Sequence, residues 1–169
     1  MAADRTQSSR NLRREMEKVY DDYGSMLFTC ALSVTGNPSM AEDAIHEAFS
    51  RGLRLKELPR NIKAYMFRSV RNAAIDQIRQ KGRLKVLPED YIFQSSASGP
   101  SELVEQKQFK EQVARALMEL SEDERETIVE HIYGQLTFQE ISDIRERSLG
   151  TVTSWYRRGL VKLKDYLEH

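Results

Sequence analysis

Apolar residues recur every three or four positions along most of the chain, which is the period of an amphipathic helix. In the first half, this spacing predicts helices over about 12–35, 39–55 and 60–81. Gly36-Asn37-Pro38 separates the first two, and a capping box of Ser39 and Glu42 is predicted to open the second. The third helix is predicted to end at Gly82. Its expected buried stripe is Met66, Val70, Ala73, Ala74 and Gln77, with Phe67 at the edge.

The composition changes in the middle of the chain, and helical periodicity then resumes. Residues 86–101 contain two prolines, one glycine and four serines with little periodicity, which is typical of a flexible linker. The next helix is predicted from Glu102, with Phe109, Val113, Leu117 and Leu120 facing inward. We therefore predict an all-α protein of two small helical domains, 1–85 and 102–169, joined by a linker at 86–101.

The second domain has the layout of a helix-turn-helix. Capping boxes of Ser121 with Glu124 and of Thr137 with Glu140 are predicted to open two helices. A short helix that must end before Gly150 is followed by a longer one over about 149–166. The expected inward face of that last helix is Val152, Tyr156, Gly159 and Leu163.

Charge is distributed unevenly in a chain whose 26 basic and 26 acidic residues cancel. Between Arg60 and Lys85 there are eight cations and one anion, Asp76. On a helix, Tyr65, Arg68, Asn72 and Arg79 share the side opposite the buried stripe. An aromatic ring, an amide and two guanidiniums in one row can stack on an unpaired base, contact a base edge and bind phosphates.

Other features narrow the class of protein. No apolar run approaches the length of a membrane span, and the single cysteine, Cys30, is expected to be a buried small residue in a reducing, cytoplasmic environment. The sequence lacks phosphate-binding glycine loops, nucleophile elbows and zinc motifs, so we expect no catalytic residues, metal, cofactor or small-molecule substrate. Glu122, Asp123, Glu124 and Glu126 are interpreted as first-turn acids that complement a helix dipole.

Two separated stretches resemble one family, the extracytoplasmic-function (ECF) group of bacterial RNA polymerase sigma factors. AEDAIHEAF followed by AYMFRSVRNAAIDQIRQKGR is similar to the polymerase-binding helix and the −10 element helix of that family. LSEDERETIVEHIYGQLTFQEISDI and LGTVTSWYRRGLVKL resemble its −35-binding helix-turn-helix. The family commonly has leucine-glycine in the turn where this chain has Arg145-Glu146. The turn thus lacks the residue that adopts a positive φ most cheaply.

The resemblance implies partners and residue roles. The expected partners are core RNA polymerase, promoter DNA and an anti-sigma factor, with no membrane. The residues implied for core-polymerase binding are Asp43, His46, Glu47 and Arg54. Those implied for the −10 element are Asn61, Lys63, Tyr65, Arg68, Arg71, Asn72 and Arg79. Those implied for the −35 element are Arg147, Ser148, Thr151, Ser154, Arg157 and Arg158.

Three functions stay open at this point. The chain could be a promoter-recognition subunit of RNA polymerase, a free-standing helix-turn-helix regulator, or a sigma-like protein that binds an anti-sigma factor. A simple regulator has no use for a row that binds single-stranded DNA, which favours the first over the second. The third is compatible with Thr153 and Trp155, which stand where the family has basic residues.

Overall fold

The computed structural model describes residues 2–81 and 103–169, with side chains from 7 and from 107 onward in the two ranges. The predicted linker, 86–101, and the predicted stop at Gly82 lie outside the described residues. The helices of the first range are α1 (Ala2–Thr35), α2 (Pro38–Gly52) and α3 (Ile62–Lys81). Those of the second are α4 (Leu103–Glu119), α5 (Glu122–Ile132), α6 (Phe138–Arg145) and α7 (Leu149–Glu168).

Helices α1, α2 and α3 pack against one another in a three-helix unit. Met66, Val70, Ala73 and Ala74 are buried as the periodicity predicts, whereas Gln77 is only half-buried. Phe67, placed at the edge of the stripe, is only 4% exposed. Burial of an aromatic side chain of this size contributes about 1.5–3 kcal/mol. The buried face of α3 is therefore wider than the stripe that the spacing of its apolar residues predicts.

The start of α2 differs from the prediction. Asn37 caps the helix, and its Oδ1 accepts hydrogen bonds from the backbone N–H groups of Ser39 at 2.9 Å and Met40 at 3.3 Å. Pro38 occupies the first helical turn, where its missing N–H costs nothing. The predicted capping box of Ser39 and Glu42 is therefore wrong.

The second unit contains the predicted helix-turn-helix, formed by α6 and α7. Both predicted capping boxes are present, Ser121 with Glu124 before α5 and Thr137 with Glu140 before α6. Leu117 on α4 and Leu120 just after it are buried, but Phe109 on α4 is 59% exposed, so the predicted inward orientation of Phe109 is wrong. On α7, Val152 and Gly159 are buried as predicted.

The two units share one hydrophobic core. Helix α1 packs against α5, and α3 packs against α6. A single cluster of buried residues joins Leu27, Ala31 and Phe67 of the first unit to Val129 and Ile141 of the second. The wide inward face of α3 follows from this contact, because Phe67 is buried between units. Within the described ranges, no helix is both long enough and apolar enough to cross a membrane.

Candidate nucleic-acid and polymerase interface

Helix α3 presents the row predicted for the −10 element on its outer side. Arg68, Asn72 and Arg79 are exposed, and Tyr65 is half-buried with its ring packed against the core. Arg79 lies 3.7 Å from Asp76 one turn earlier, between Nη1 and Oδ1. Arg68, Asn72 and Arg79 thus lie on the outer face that helical phase predicts, whereas Tyr65 stands at its boundary with the core.

The remaining residues predicted for the −10 element lie at the boundary with the second unit. Asn61 caps the start of α3 by accepting a hydrogen bond from the Ala64 N–H at 2.9 Å, and its Nδ2 donates to Glu140 Oε1 at 3.3 Å. Lys63 Nζ donates to the backbone carbonyl of Gln135 at 3.0 Å. The same ammonium lies 5.1 Å from the centre of the Tyr23 ring.

Two arginines of α3 pair with carboxylates across the same boundary. Arg71 Nε donates to Glu126 Oε2 at 2.9 Å, and both side chains are largely buried. Arg68 forms an ion pair with Glu146 at the turn between α6 and α7. The second unit therefore contacts four of the seven residues predicted to bind the −10 element.

A buried ionic cluster that sequence reasoning missed supports this boundary. Arg145 is only 3% exposed and pairs with Asp123 at 2.6 Å, Glu126 at 3.2 Å and Glu130 at 3.5 Å. Its guanidinium also lies 5.2 Å from the centre of the Trp155 ring. Glu126 lies beyond the first turn of α5 and is buried, so its interpretation as a first-turn acid is wrong. The available signal was Arg145 itself, a cation at a position where the family commonly has leucine.

Burial perturbs the titration of groups in and around this cluster. Removal from water raises the pKa of Glu130 to about 7, with Arg145 and Arg71 opposing the shift and Glu126 reinforcing it. Burial likewise raises the pKa of the Cys30 thiol on α1 well above its ordinary value, and Glu130 and Glu126 add to that shift. Cys30 is buried, as the sequence predicts, and its surroundings disfavour a thiolate.

The residues predicted to bind core polymerase lie on and just after α2. Asp43 and His46 are exposed, and Asp43 Oδ2 accepts a hydrogen bond from Lys81 Nζ at 3.3 Å. Glu47 pairs with Arg51 one turn later. Arg54, predicted to lie on the helix, is in the turn that follows Gly52. His46 also lines a cleft of about 430 Å³ between α1 and α2, together with Tyr20, Phe49 and Leu53.

The residues predicted for the −35 element lie on α7 and in the turn just before it. Ser148 caps the helix, and its hydroxyl accepts a hydrogen bond from the Thr151 N–H at 3.2 Å. Arg147 and Arg157 are exposed, and Ser154 is half-buried. Arg158 is also exposed, but its Nε lies 3.5 Å from Glu124 Oε1. Within the described ranges, no group of three or more histidine, cysteine or acidic side chains could hold a metal ion.

Glu124 is a buried acid that connects α5 to α7. Lys162 Nζ donates to both of its carboxylate oxygens, at 3.0 and 2.8 Å. Burial alone would raise the pKa of Glu124, but hydrogen bonds from Lys162 and Ser121 outweigh it and lower the pKa below its ordinary value. The same acid thus caps α5 and orients the cations of α7.

The turn between α6 and α7 adopts the backbone conformation that its sequence makes costly. Glu146 has φ 52° and ψ 45°, in the left-handed region, and its backbone N–H donates to the carbonyl of Ser142. The expectation that this turn requires a positive φ at a non-glycine residue is confirmed. Gln135, in the loop before α6, also has a positive φ of 51°.

Family models match both helical units of the chain. The Sigma-70 region 2 model matches residues 19–84, and the model described as Sigma-70, region 4 matches residues 110–163. The chain belongs to the ECF group of sigma factors. Members of this group are DNA-binding transcription initiation factors. The family predicted from the sequence is therefore confirmed, together with an all-α fold that contains both sigma regions.

Similar proteins include curated ECF sigma factors from two bacteria. The ECF RNA polymerase sigma factor SigE of Mycolicibacterium smegmatis is 27% identical over 156 residues, which cover 89% of this chain and 61% of that protein. SigM of Bacillus subtilis is 27% identical over 154 residues, which cover 88% of this chain and 93% of that protein.

A solved structure shares the fold of this sigma factor. It contains the sigma factor RpoE in complex with the anti-sigma factor NepR from Bartonella quintana. The match has a TM-score of 0.67 at 24% identity and covers 94% of this chain and 98% of that chain. At this identity the likeness establishes the arrangement of the helices only.

Proposed function

We propose that this sigma factor directs core RNA polymerase to specific promoters and assists promoter melting, with no catalytic step of its own. The observation that carries the proposal is the row on α3, which places an aromatic ring, an amide and two guanidiniums on one face of the region that matches Sigma-70 region 2. Tyr65 would stack on an unpaired base and Asn72 would contact a base edge, while Arg68 and Arg79 would bind phosphates.

The other two predicted sets complete the proposal. Asp43, His46, Glu47 and Arg54 would bind core polymerase. Helix α7 would enter the major groove of the −35 element, with Ser154, Arg157 and Arg158 facing the DNA and Arg147, Ser148 and Thr151 at its start. Because the chain is neutral overall and several cations of α3 and α7 pair with acids, binding to duplex DNA should be weak until core polymerase is present.

Regulation by an anti-sigma factor is part of the same proposal. The Bartonella neighbour was solved with such a partner. We extend that class of partner to this chain, where it would compete with core polymerase for Asp43, Glu47 and Arg54. The protein would then act in the cytoplasm, where core polymerase lies.

Transcription with bacterial core polymerase and genomic DNA, followed by mapping of transcript 5′ ends, tests the proposal. The start sites should share sequence elements about 10 and 35 base pairs upstream. Tyr65→Ala and Asn72→Ala should each reduce open-complex formation by about fivefold or more, since a base stack and a base-edge contact each contribute about 1–3 kcal/mol. Gln112→Ala, an exposed change on α4, is the matched control. Start sites without shared elements, or full activity of both α3 variants, would contradict the assignment.

A further inference from the structure

We propose that, in the isolated chain, the helix-turn-helix domain binds the side of α3 predicted to contact the −10 element and blocks its access to DNA. We call this surface the −10 face; its predicted residues are Asn61, Lys63, Tyr65, Arg68, Arg71, Asn72 and Arg79. The proposal rests on the assignment of α3 as the −10 helix. Four contacts carry it. They join Asn61 to Glu140, Lys63 to the carbonyl of Gln135, Arg68 to Glu146, and Arg71 to Glu126.

These contacts occupy the donors that a DNA backbone would use. A guanidinium binds carboxylate and phosphate through the same N–H groups, in the same fork geometry. Arg71 cannot donate its Nε–H to Glu126 at 2.9 Å and to a phosphate at the same time. A strand that uses these same donors must displace the carboxylates of the second domain, or find them already withdrawn.

An apolar contact between the two domains adds to the ion pairs that hold them together. Phe67 of α3 lies against Gly134, where an added Cβ would be 3.2 Å from its ring. Arg125 of α5 donates to the carbonyl of Ser33 near the end of α1 at 3.2 Å. Exposed ion pairs alone contribute little, whereas pairs that border a shared apolar core fix one orientation of the two domains.

The backbone of the second domain is strained where it meets α3. Within the described ranges, the non-glycine residues with positive φ are Gln135 and Glu146. Gln135 supplies the carbonyl that binds Lys63, and Glu146 supplies the carboxylate that binds Arg68. Left-handed non-glycine residues concentrate at ligand clamps and switch regions. Left-handed backbone therefore occurs at two of the four contacts with α3.

A charge-matched pair of variants of the full chain tests the proposal. Glu140→Gln with Glu146→Gln removes two acids that face α3, and glutamine at 140 retains the capping box. Glu119→Gln with Asp143→Asn is the control, because these exposed acids give the same change in net charge within the same domain. The probe is a fluorescein-labelled single-stranded DNA of 20 nucleotides and mixed sequence, measured by anisotropy without core polymerase. Small-angle scattering reports the radius of gyration.

The docking proposal expects the Glu140/Glu146 variant to bind the probe at least about threefold more tightly than the control, given the modest strength of exposed pairs. Its radius of gyration should also exceed that of the control. Glu146→Gln alone, at an exposed side chain, should give a smaller change in the same direction and guards against misfolding of the double variant.

Two results would overturn the proposal, and they separate it from the proposed function. Equal affinities and equal radii for both double variants would show that the acids do not close the −10 face, and would leave transcription with core polymerase as the test of function. A larger radius without tighter DNA binding would show that the domains separate but that α3 is not the masked DNA-binding surface. That second result would count against the function as well.

Discussion

The buried carboxyl group of Glu130 should make the stability of this protein fall as pH rises toward neutrality. Burial raises its pKa from 4.5 to about 7 in the folded protein. In the unfolded chain the group is in water and titrates near its ordinary value. Between these two values the folded state holds a proton that the unfolded state has released. Stability that depends on that proton is present below pH 4.5 and is lost as pH rises toward 7.

The size of the effect follows from the two pKa values. Between pH 5.5 and 7.5, the linkage relation gives a loss of about 2 kcal/mol in the free energy of unfolding, at 1.36 kcal/mol per pKa unit. The lowered pKa values of Glu124 and Glu140 act in the opposite sense, but only below about pH 4.5. The window from 5.5 to 7.5 therefore isolates Glu130 from these two acids.

The variant that removes the effect is Glu130→Gln, which keeps the size of the side chain and leaves Arg145 paired with Asp123 and Glu126. Urea unfolding followed by the fluorescence of Trp155, the single tryptophan, reports directly on this cluster because its ring lies beside Arg145. The free energy of unfolding of the wild type should fall by about 2 kcal/mol between pH 5.5 and 7.5. In the variant this contribution of Glu130 should be absent.

Glu119→Gln is the control, since it removes one acid from an exposed position of α4. Contributions from the three histidines are common to all three proteins and cancel in the comparison. Parallel pH profiles for Glu130→Gln and Glu119→Gln would refute the reasoning. That result would mean that Glu130 stays ionised in the folded protein, held by Arg145 and Arg71.

The remaining predictions concern the backbone and the shared core. Gly150→Ala should stabilise the protein by up to about 1 kcal/mol, since nothing lies within 4 Å of the added Cβ. Gly159→Ala on the same helix should instead cost about 1–3 kcal/mol, because its Cβ would lie 2.6 Å from Ile128 Cδ1; denaturant unfolding of the pair checks both. Glu146→Gly should raise stability by up to about 1 kcal/mol by relieving the left-handed backbone, whereas Glu146→Ala should not, and equal values for the two would contradict the role of strain. Far-UV circular dichroism and Trp155 fluorescence should report one coincident unfolding transition, since both units share a core; two separated transitions would contradict that coupling.

The sequence predicted which faces of the helices are buried, because helical phase depends only on local spacing. Val70, Ala73, Val152 and Gly159 are inside as expected. Spacing does not state what a buried face packs against. Helical phase placed Phe67 at the edge of the stripe, and its ring is covered by the segment at Gly134 of the second unit, which spacing could not reveal. The domain boundaries near 85 and 102 stay a prediction, since they fall at residues that the structure does not describe.

Charged residues were the harder part of the site to predict. Glu126 and Glu130 occur in an acidic stretch and look like surface residues, because the partners that permit their burial, Arg71 and Arg145, are distant in sequence. Nothing in local spacing distinguishes an exposed acid from one whose partner arrives through the fold. The residue roles implied by the family resemblance also stay predictions, and the α3 variants above test the first of them.

The opposite charges that cancel in this chain lie next to one another at specific places in the fold. All five cations of α3 have an acceptor nearby. Arg79 and Lys81 face acids of the first unit, Asp76 and Asp43. Lys63, Arg68 and Arg71 face acceptors of the second unit. The positive charge of α3 is therefore largely compensated within the closed chain. If α3 binds the −10 element as we propose, phosphates compete with these internal acceptors, and the affinity for DNA depends on the position of the second domain. A binding partner that separates the two domains would therefore raise the affinity for DNA without contacting α3.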